Sequence, residues 1–119
     1  MKLRLRENSI RLRLLQSEIK TLSEIGCVSE TIVFSAQHKF TYTLKISEAA
    51  NDILACFENE EITVEIPVQT ARNWIETNLV GLEHEQNIDK TQNIDKTAKL
   101  KILIEKGVNL CSKEFQYCF

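Results

Sequence analysis

Proline and glycine are scarce in this chain. One proline and three glycines among 119 residues exclude a proline-rich linker and a low-complexity composition. The length fits one domain, and an apolar content of 43% is enough to build a core. We therefore expect a single domain over residues 1–119.

Long apolar runs are missing as well. No stretch approaches the roughly 20 apolar residues of a membrane span, and no apolar segment of the signal-peptide type follows the charged start "MKLRLRENSIRLRL". We expect no membrane partner and a cytoplasmic location. In that compartment the four cysteines are reduced thiols.

The chain also lacks a surplus of basic charge. Fifteen basic residues face seventeen acidic ones, a net charge of −2, which disfavours bulk nucleic-acid binding but permits a local basic stripe. The common catalytic signatures GxGxxG, HExxH, GxSxG and the P-loop are absent. These absences favour a protein without a cofactor and without catalytic activity.

The first fourteen residues alternate strictly between apolar and basic side chains. Period two over two adjacent runs predicts a β-hairpin, with either Glu7–Asn8 or Asn8–Ser9 as its two-residue loop. Both registers place the leucines on one face and the basic residues on the other. The basic residues are Lys2, Arg4, Arg6, Arg11 and Arg13.

These five residues are the candidate anion-binding set. Like charges repel across a sheet, so something must offset them. Neighbouring carboxylates such as Glu61, Glu65, Glu83 and Glu85 would make the face a solvated network of ion pairs. Alternatively, clustered guanidiniums bind a phosphate or carboxylate, or the face meets an acidic protein partner.

Two segments have helical spacing. "SEIKTLSEIG" predicts a short helix that Ser17 caps and that ends at Gly26. The segment after Pro67 predicts a second short helix, with Trp74 as a core anchor on its apolar stripe.

The remaining runs read as strands. "ETIVFSA" places Ile32 and Phe34 inward, and "KFTYTLKI", "LVGLEHEQ" and "KLKILIEK" follow the strand pattern, as do "ILACFE" and "EITVEI" around a turn at "NE". About eight short strands and two short helices predict an α+β fold. Its sheet would be mainly antiparallel and curved, or an open β-barrel.

The cysteines predict no metal site. Cys27 and Cys56 are assigned to the core as small apolar residues. Cys111 and Cys118 are spaced C-x6-C, which is not a zinc-binding spacing.

The segment "LEHEQ" contains His84 between two glutamates. Strand alternation puts His84 on the opposite face from Glu83 and Glu85, so we expect no acid–base pair. The segment resembles the E-x-E-x-K signature of triphosphate-tunnel barrels, which are lined with Arg, Lys and Glu, but it lacks the lysine and lies late in the chain. A phosphohydrolase-like enzyme is therefore kept as an alternative.

One six-residue word occurs twice in tandem, as "QNIDKTQNIDKT". Ile88 and Ile94 are six residues apart and do not share a helix face. The word also lacks the glycine and the closing glutamate of a calcium loop. We interpret residues 87–98 as an exposed loop with a local duplication, and residues 107–119 as a C-terminal tail.

Three segments, "MKLRLRENSIRLRL", "FENEEITVEIP" and "LKILIEK", resemble a family of small bacterial proteins catalogued as a domain of unknown function. The resemblance implies a bacterial, cytoplasmic, single-domain protein and supplies no activity, cofactor or catalytic residue. The duplicated word and the ending "CSKEFQYCF" depart from it. We expect a non-catalytic interaction or ligand-binding module, with an anion- or phosphate-binding domain as the alternative. A homodimer stays open.

Deleting one copy of the duplicated word tests its assignment to a loop. Halving a loop changes the free energy of closure by only about 0.6 kcal/mol, so the deletion variant should unfold at nearly the same urea concentration as the parent. A large loss of stability would place the word inside the packed structure instead.

Overall fold

The computed structural model describes residues 1–88 and 99–107, and eight strands and two helices in this part confirm the α+β class. The strands are β1 Lys2–Arg6, β2 Ser9–Leu14, β3 Cys27–Val33, β4 Lys39–Ser47, β5 Leu54–Glu58, β6 Glu61–Pro67, β7 Gly81–Asn87 and β8 Lys99–Lys106. The helices are α1 Gln16–Ile25 and α2 Val68–Glu76.

The strands form two sheets rather than one. Sheet A has the order β1-β2-β8-β7 and sheet B the order β3-β4-β6-β5, each with four strands. The hairpins within each sheet are antiparallel, whereas the central pairs β2/β8 and β4/β6 are parallel. Among the described residues, neither sheet closes into a barrel. Local alternation could not reveal this division, because the parallel pairs join strands that are far apart in the sequence.

The two halves of the chain have the same architecture. Each runs β-β-α-β-β, first as β1-β2-α1-β3-β4 and then as β5-β6-α2-β7-β8. When sheet B is read in the order β5-β6-β4-β3, each strand corresponds to a strand of sheet A in the order β1-β2-β8-β7. Equivalent strands also pair in the same register. The pair Lys2↔Arg13 in sheet A corresponds to Leu54↔Glu65 in sheet B, a shift of 52 positions in both strands. The fold therefore contains an internal repeat that the sequence patterns did not predict.

The duplicated word lies where the two halves differ in length. Residues 34–38, a run of five, connect β3 to β4, whereas residues 88–98, a run of eleven, connect the equivalent strands β7 and β8. The difference is one six-residue word. Asn87 still belongs to β7, and residues 89–98 lie outside the described residues, so the exposed loop stays a prediction.

Only the first residue of the predicted C-terminal tail, Gly107, is described. It is buried, and its N–H donates to the carbonyl of Leu14 at 2.6 Å. A Cβ at this position would lie 3.1 Å from that carbonyl oxygen, so a side chain would press on the end of β2. The rest of the tail lies outside the described residues.

The core lies on the inner faces of both sheets and on one side of each helix. Leu22 of α1 and Trp74 of α2 occupy equivalent positions, and both are fully buried. The indole N–H of Trp74 donates to the carbonyl of Val80 at 3.0 Å, so its one polar atom is satisfied. The complete burial of the indole confirms Trp74 as a core anchor.

The start of α1 differs from the prediction. Ser17 lies inside the helix and does not cap it. Instead, the backbone N–H of Leu15 donates to the carboxylate of Glu18 at 2.8 Å, half of the reciprocal arrangement of a capping box. The predicted end is confirmed, because Gly26 adopts a φ of 98° and donates to the carbonyl of Leu22. No helix in the described part of the chain is long and apolar enough to cross a membrane.

Four side chains that the sequence analysis assigned to the interior are exposed. Ile32 and Phe34 are 47% and 70% accessible, and Cys27 and Cys56 are also exposed. β3 pairs with β4 on one side only, and alternation does not reveal how far the core extends along such an edge strand. The two cysteines face Lys45 and Thr63, respectively, on the outer face of sheet B.

Side chains connect the edges of the two sheets. The side-chain amide of Gln86 in β7 accepts a hydrogen bond from the N–H of Ala55 at 2.8 Å and donates one to its carbonyl at 2.9 Å. At the opposite edges, the amino group of Met1 contacts the carboxylate of Glu30 in β3, and the Tyr42 hydroxyl donates to the Met1 carbonyl at 3.1 Å. Gln86 and Met1 thus contact edge strands of the facing sheet, and Tyr42 adds a hydrogen bond from the adjacent strand β4.

We expect Gln86→Ala to destabilise the protein by about 1–3 kcal/mol, because it leaves the backbone groups of buried Ala55 without partners. Chemical denaturation measures the change. The exposed Gln69 of α2 supplies the matched control, and Gln69→Ala should shift stability by less than about 0.5 kcal/mol. Equal effects of the two substitutions would contradict a bridging role for Gln86.

Candidate anion-binding face

The first hairpin turns at Glu7 and Asn8, because Arg6 pairs with Ser9. In this register Arg4 faces Arg11, and Lys2 faces Arg13 in the same way. Since cross-strand partners share a face, all five candidate basic residues lie together on the outer face of sheet A.

This surface, called the basic face below, extends across all four strands of sheet A. It carries seven basic and three acidic side chains, a net charge of +4, although the whole chain carries −2. The basic ones are Lys2, Arg4, Arg6, Arg11, Arg13, Lys99 and Lys101, and the acidic ones are Glu83, Glu85 and Glu105. Charge is therefore strongly segregated on this molecule.

Glu105 of β8 is the carboxylate that meets the arginines. Arg11 Nε donates to Glu105 Oε1 at 3.0 Å and Arg11 Nη2 to Oε2 at 2.9 Å, a bidentate pair, while Arg13 Nη2 lies 3.4 Å from Oε1. The hydrogen bond from Arg11 lowers the pKa of Glu105, although partial burial acts in the opposite direction. The same contact raises the pKa of Arg11.

The other carboxylates considered from the sequence do not reach the arginines. Glu83 lies 3.4 Å from Lys101 and Glu85 lies 3.8 Å from Lys99, all on β7 and β8. The two glutamates considered in β6 belong to sheet B. The β7 side of the basic face is thus close to neutral, and the positive charge concentrates on β1 and β2.

Glu105 was not among the carboxylates expected from the sequence to meet the arginines. Its position opposite Arg13 depends on the parallel pairing of β2 with β8, and no local pattern encodes that pairing. The only available signal was the alternation in "KILIEK", which places Glu105 on the same face as Leu103 and Lys101 but not beside any arginine.

Arg4 makes no hydrogen bond or ion pair with the described residues. Arg6 lies 3.7 Å from Glu7, but both side chains are highly exposed, so the pair contributes little to stability.

Two surface grooves adjoin Arg4 and Arg6. One of about 460 Å³ is lined by Lys2, Leu3, Arg4, Arg11 and Arg13, and one of about 200 Å³ by Arg4, Arg6, Ser9, Arg11 and Leu103. Both grooves share Arg4 and Arg11, whose guanidiniums are suited to bidentate binding of phosphate or carboxylate.

The histidines lie away from the basic face. His84 pairs with Ile102 on the inner face, opposite Glu83 and Glu85 as alternation predicted. His38 is exposed at the β3–β4 turn, with Nδ1 3.1 Å from a carboxylate oxygen of Glu60. Neither histidine forms an acid–base pair with a basic-face residue.

The described cysteines do not form a reactive site. Partial burial, together with Glu58, Glu65 and Glu61, raises the pKa of Cys56, which disfavours the nucleophilic thiolate. The described residues contain no group of three or more side chains suited to hold a metal ion. Cys111 and Cys118 lie outside the described residues.

The comparison with triphosphate tunnels does not fit this geometry. A tunnel requires charged side chains inside a closed barrel, whereas the five basic residues lie on the outer face of an open sheet. The inner face of sheet A carries Leu12, Ile102 and Ile104 of the core instead.

The chain belongs to a family described as "Family of unknown function (DUF7009)", whose profile matches residues 1–115. This match confirms the resemblance to a family of unknown function. No curated protein and no solved structure matches the chain.

The ion pairs of Glu105 should make stability depend on pH. The pKa of Glu105 is lower in the folded protein than in the unfolded chain, so its contribution is present at neutral pH and is lost as the pH falls through the folded-state value. We expect Glu105→Gln to unfold at lower urea concentration than the parent at pH 7, and the difference to shrink toward about pH 3. Glu83→Gln, which removes an exposed pair on the same face, should have a smaller effect. A difference that stays constant with pH would contradict this role.

Proposed function

We propose that the protein is a non-catalytic binding module whose basic face holds an anionic ligand. The observation that carries the proposal is the imbalance around β1 and β2. Among the described residues, the four arginines of β1 and β2 meet two carboxylates, Glu7 beside Arg6 and Glu105 beside Arg11 and Arg13, and Arg4 has no partner. An anion at Arg4 and Arg11 would supply the missing negative charge.

The internal repeat supports a ligand-binding role for these charges. At the positions of sheet B equivalent to the five basic residues stand Leu54, Cys56, Glu58, Thr63 and Glu65. The same hairpin therefore forms in sheet B without arginines opposite each other. Because Arg4 opposite Arg11 is electrostatically unfavourable, the basic residues are better explained by a ligand than by the needs of the fold.

The charge distribution also favours capture at this face. The basic face carries +4 and the whole chain −2, so the rest of the chain carries −6. An anionic ligand is repelled elsewhere and attracted here, which steers and orients its approach.

Binding fits the grooves better than hydrolysis does. A general base would have to be a carboxylate or an imidazole, and β1 and β2 supply neither. Glu105 of β8 reaches this region, but Arg11 and Arg13 already bind its carboxylate. The exposed free thiols Cys27 and Cys56 support a reducing location such as a bacterial cytoplasm.

Two substitutions on the basic face should change anion affinity in opposite directions. Arg4→Gln removes a charge-assisted contact and should weaken pyrophosphate binding about tenfold or more. Glu105→Gln frees Arg11 and Arg13 from their competing carboxylate and should strengthen binding. Isothermal titration calorimetry at low ionic strength measures both, and added salt should weaken binding.

Arg72→Gln is the matched control, because Arg72 is an exposed arginine on α2. It should leave the affinity unchanged. Arg4→Gln should not lower stability, because it removes the repulsion with Arg11, so unfolding of the same samples separates binding from folding. Equal pyrophosphate affinities for Arg4→Gln and Arg72→Gln would make the proposal wrong.

A further inference from the structure

We infer that the basic face binds an extended acidic segment of another protein, which adds a strand to β1. This inference rests on the proposed function, since it names the class of anion. The partner would carry acidic residues at every second position, with apolar residues between them.

The geometry of β1 matches such a segment. Among the strands of the described residues, β1 lies at the edge of sheet A and pairs with β2 alone. Lys2, Arg4 and Arg6 recur at every second residue on the basic face, about 6.6–6.8 Å apart. A strand laid beside β1 presents every second side chain on the same face at the same spacing, so three acidic residues would face three basic ones.

The inner side of β1 indicates which residues should stand between the acidic ones in the partner segment. Leu3 is half-buried, and Leu5 is 58% exposed although it lies on the core face of the hairpin. The intervening side chains of an added strand would lie beside these leucines. Apolar residues there would cover Leu5, which no strand of the described residues covers at this edge.

The grooves also indicate a ligand longer than a single anion. Each groove adjoins Arg4 and Arg11, but one extends toward Lys2 and the other toward Arg6. Together the two grooves adjoin Lys2, Arg4 and Arg6 of β1 and reach Arg11 of β2. A single phosphate would contact one cross-strand pair such as Arg4 and Arg11, whereas a strand beside β1 would face Lys2, Arg4 and Arg6 in turn.

A peptide fits this face better than a nucleic acid. The described residues of the basic face include no aromatic side chain, so bases would have no stacking platform. A peptide strand would in addition form backbone hydrogen bonds along the edge of β1.

A second copy of this chain fits less well. The acidic edge of sheet A is β7, where Glu83 and Glu85 have the required spacing, but they already lie near Lys101 and Lys99. Gln86 further ties β7 to β5. Two β1 edges would repel each other, as charged edges do in many sheets.

Two peptides of identical composition test the inference. One alternates glutamate and valine over seven residues, and the other groups the same residues into two blocks. Both have blocked termini and a fluorescent label, and anisotropy is measured at low ionic strength. The alternating peptide should bind about tenfold more tightly than the block peptide, because only it aligns its charges with β1.

Variants add a second readout. Arg4→Gln should weaken binding of the alternating peptide, whereas Arg72→Gln should not. Leu5→Ser should weaken binding of the peptide but leave pyrophosphate binding unchanged, because only the peptide would contact Leu5. A loss of pyrophosphate binding in Leu5→Ser would contradict the assignment of Leu5 to the peptide.

Other outcomes separate this inference from the proposed function. Equal affinities of the two peptides, with pyrophosphate binding that depends on Arg4, would overturn the inference and leave the anion site standing. Tighter binding of oligo(dT) than of the alternating peptide would also overturn the inference, because the ligand would then be a nucleic acid, and would leave the anion site standing. Self-association that Arg4→Gln abolishes, seen by sedimentation without peptide, would make a second copy the partner. Absence of binding to every anion would overturn both proposals.

Discussion

The parallel pairing of β2 with β8 joins the two ends of the described chain and determines what sheet A can be. It places Ile102 and Ile104 beside Ile10 and Leu12 in the core. On the other face it places Glu105 opposite Arg13, within reach of Arg11. The same pairing therefore stabilises the core and supplies the carboxylate that partly neutralises the basic face.

The equivalent pairing of β4 with β6 does the same for sheet B, and the comparison between the two sheets is informative. Leu12 opposite Ile104 corresponds to Val64 opposite Leu44, and all four side chains are fully buried. The inner faces thus follow one packing rule. The outer faces have diverged, because side chains in contact with solvent are free to change charge without disturbing the core.

Sheet B shows what such an outer face looks like without a concentration of basic charge. Its side chains pair through hydroxyls, with Ser29 and Thr43 at 2.8 Å and Thr31 and Thr41 at 3.0 Å. Thr43 also donates to Glu61 at 2.7 Å. The hydroxyls of this face and Glu61 therefore bond to one another. On the basic face the contacts are ion pairs instead, and Arg4 has no partner among the described residues.

Much of the local structure could be predicted because it depends on short-range alternation. The period of two sorted Leu12 from Arg11 and Arg13, and Gly26 marked the end of α1 because it tolerates the left-handed backbone there. Alternation failed for Ile32, and the small apolar character of Cys27 and Cys56 wrongly assigned both to the core. Alternation assigns a face to each side chain, but whether that face is covered depends on where the neighbouring elements end.

By itself, the sequence determined the helices, the strands, and the grouping of Lys2, Arg4, Arg6, Arg11 and Arg13 on one face, because these follow from backbone periodicity over a few residues. The tertiary structure alone decided the division into two sheets, the internal repeat, and which carboxylate meets which arginine. These features depend on pairings between strands that are not neighbours in the sequence, and the contact of Arg11 with Glu105 spans 94 positions. Such contacts are set by packing of the whole chain rather than by any local pattern.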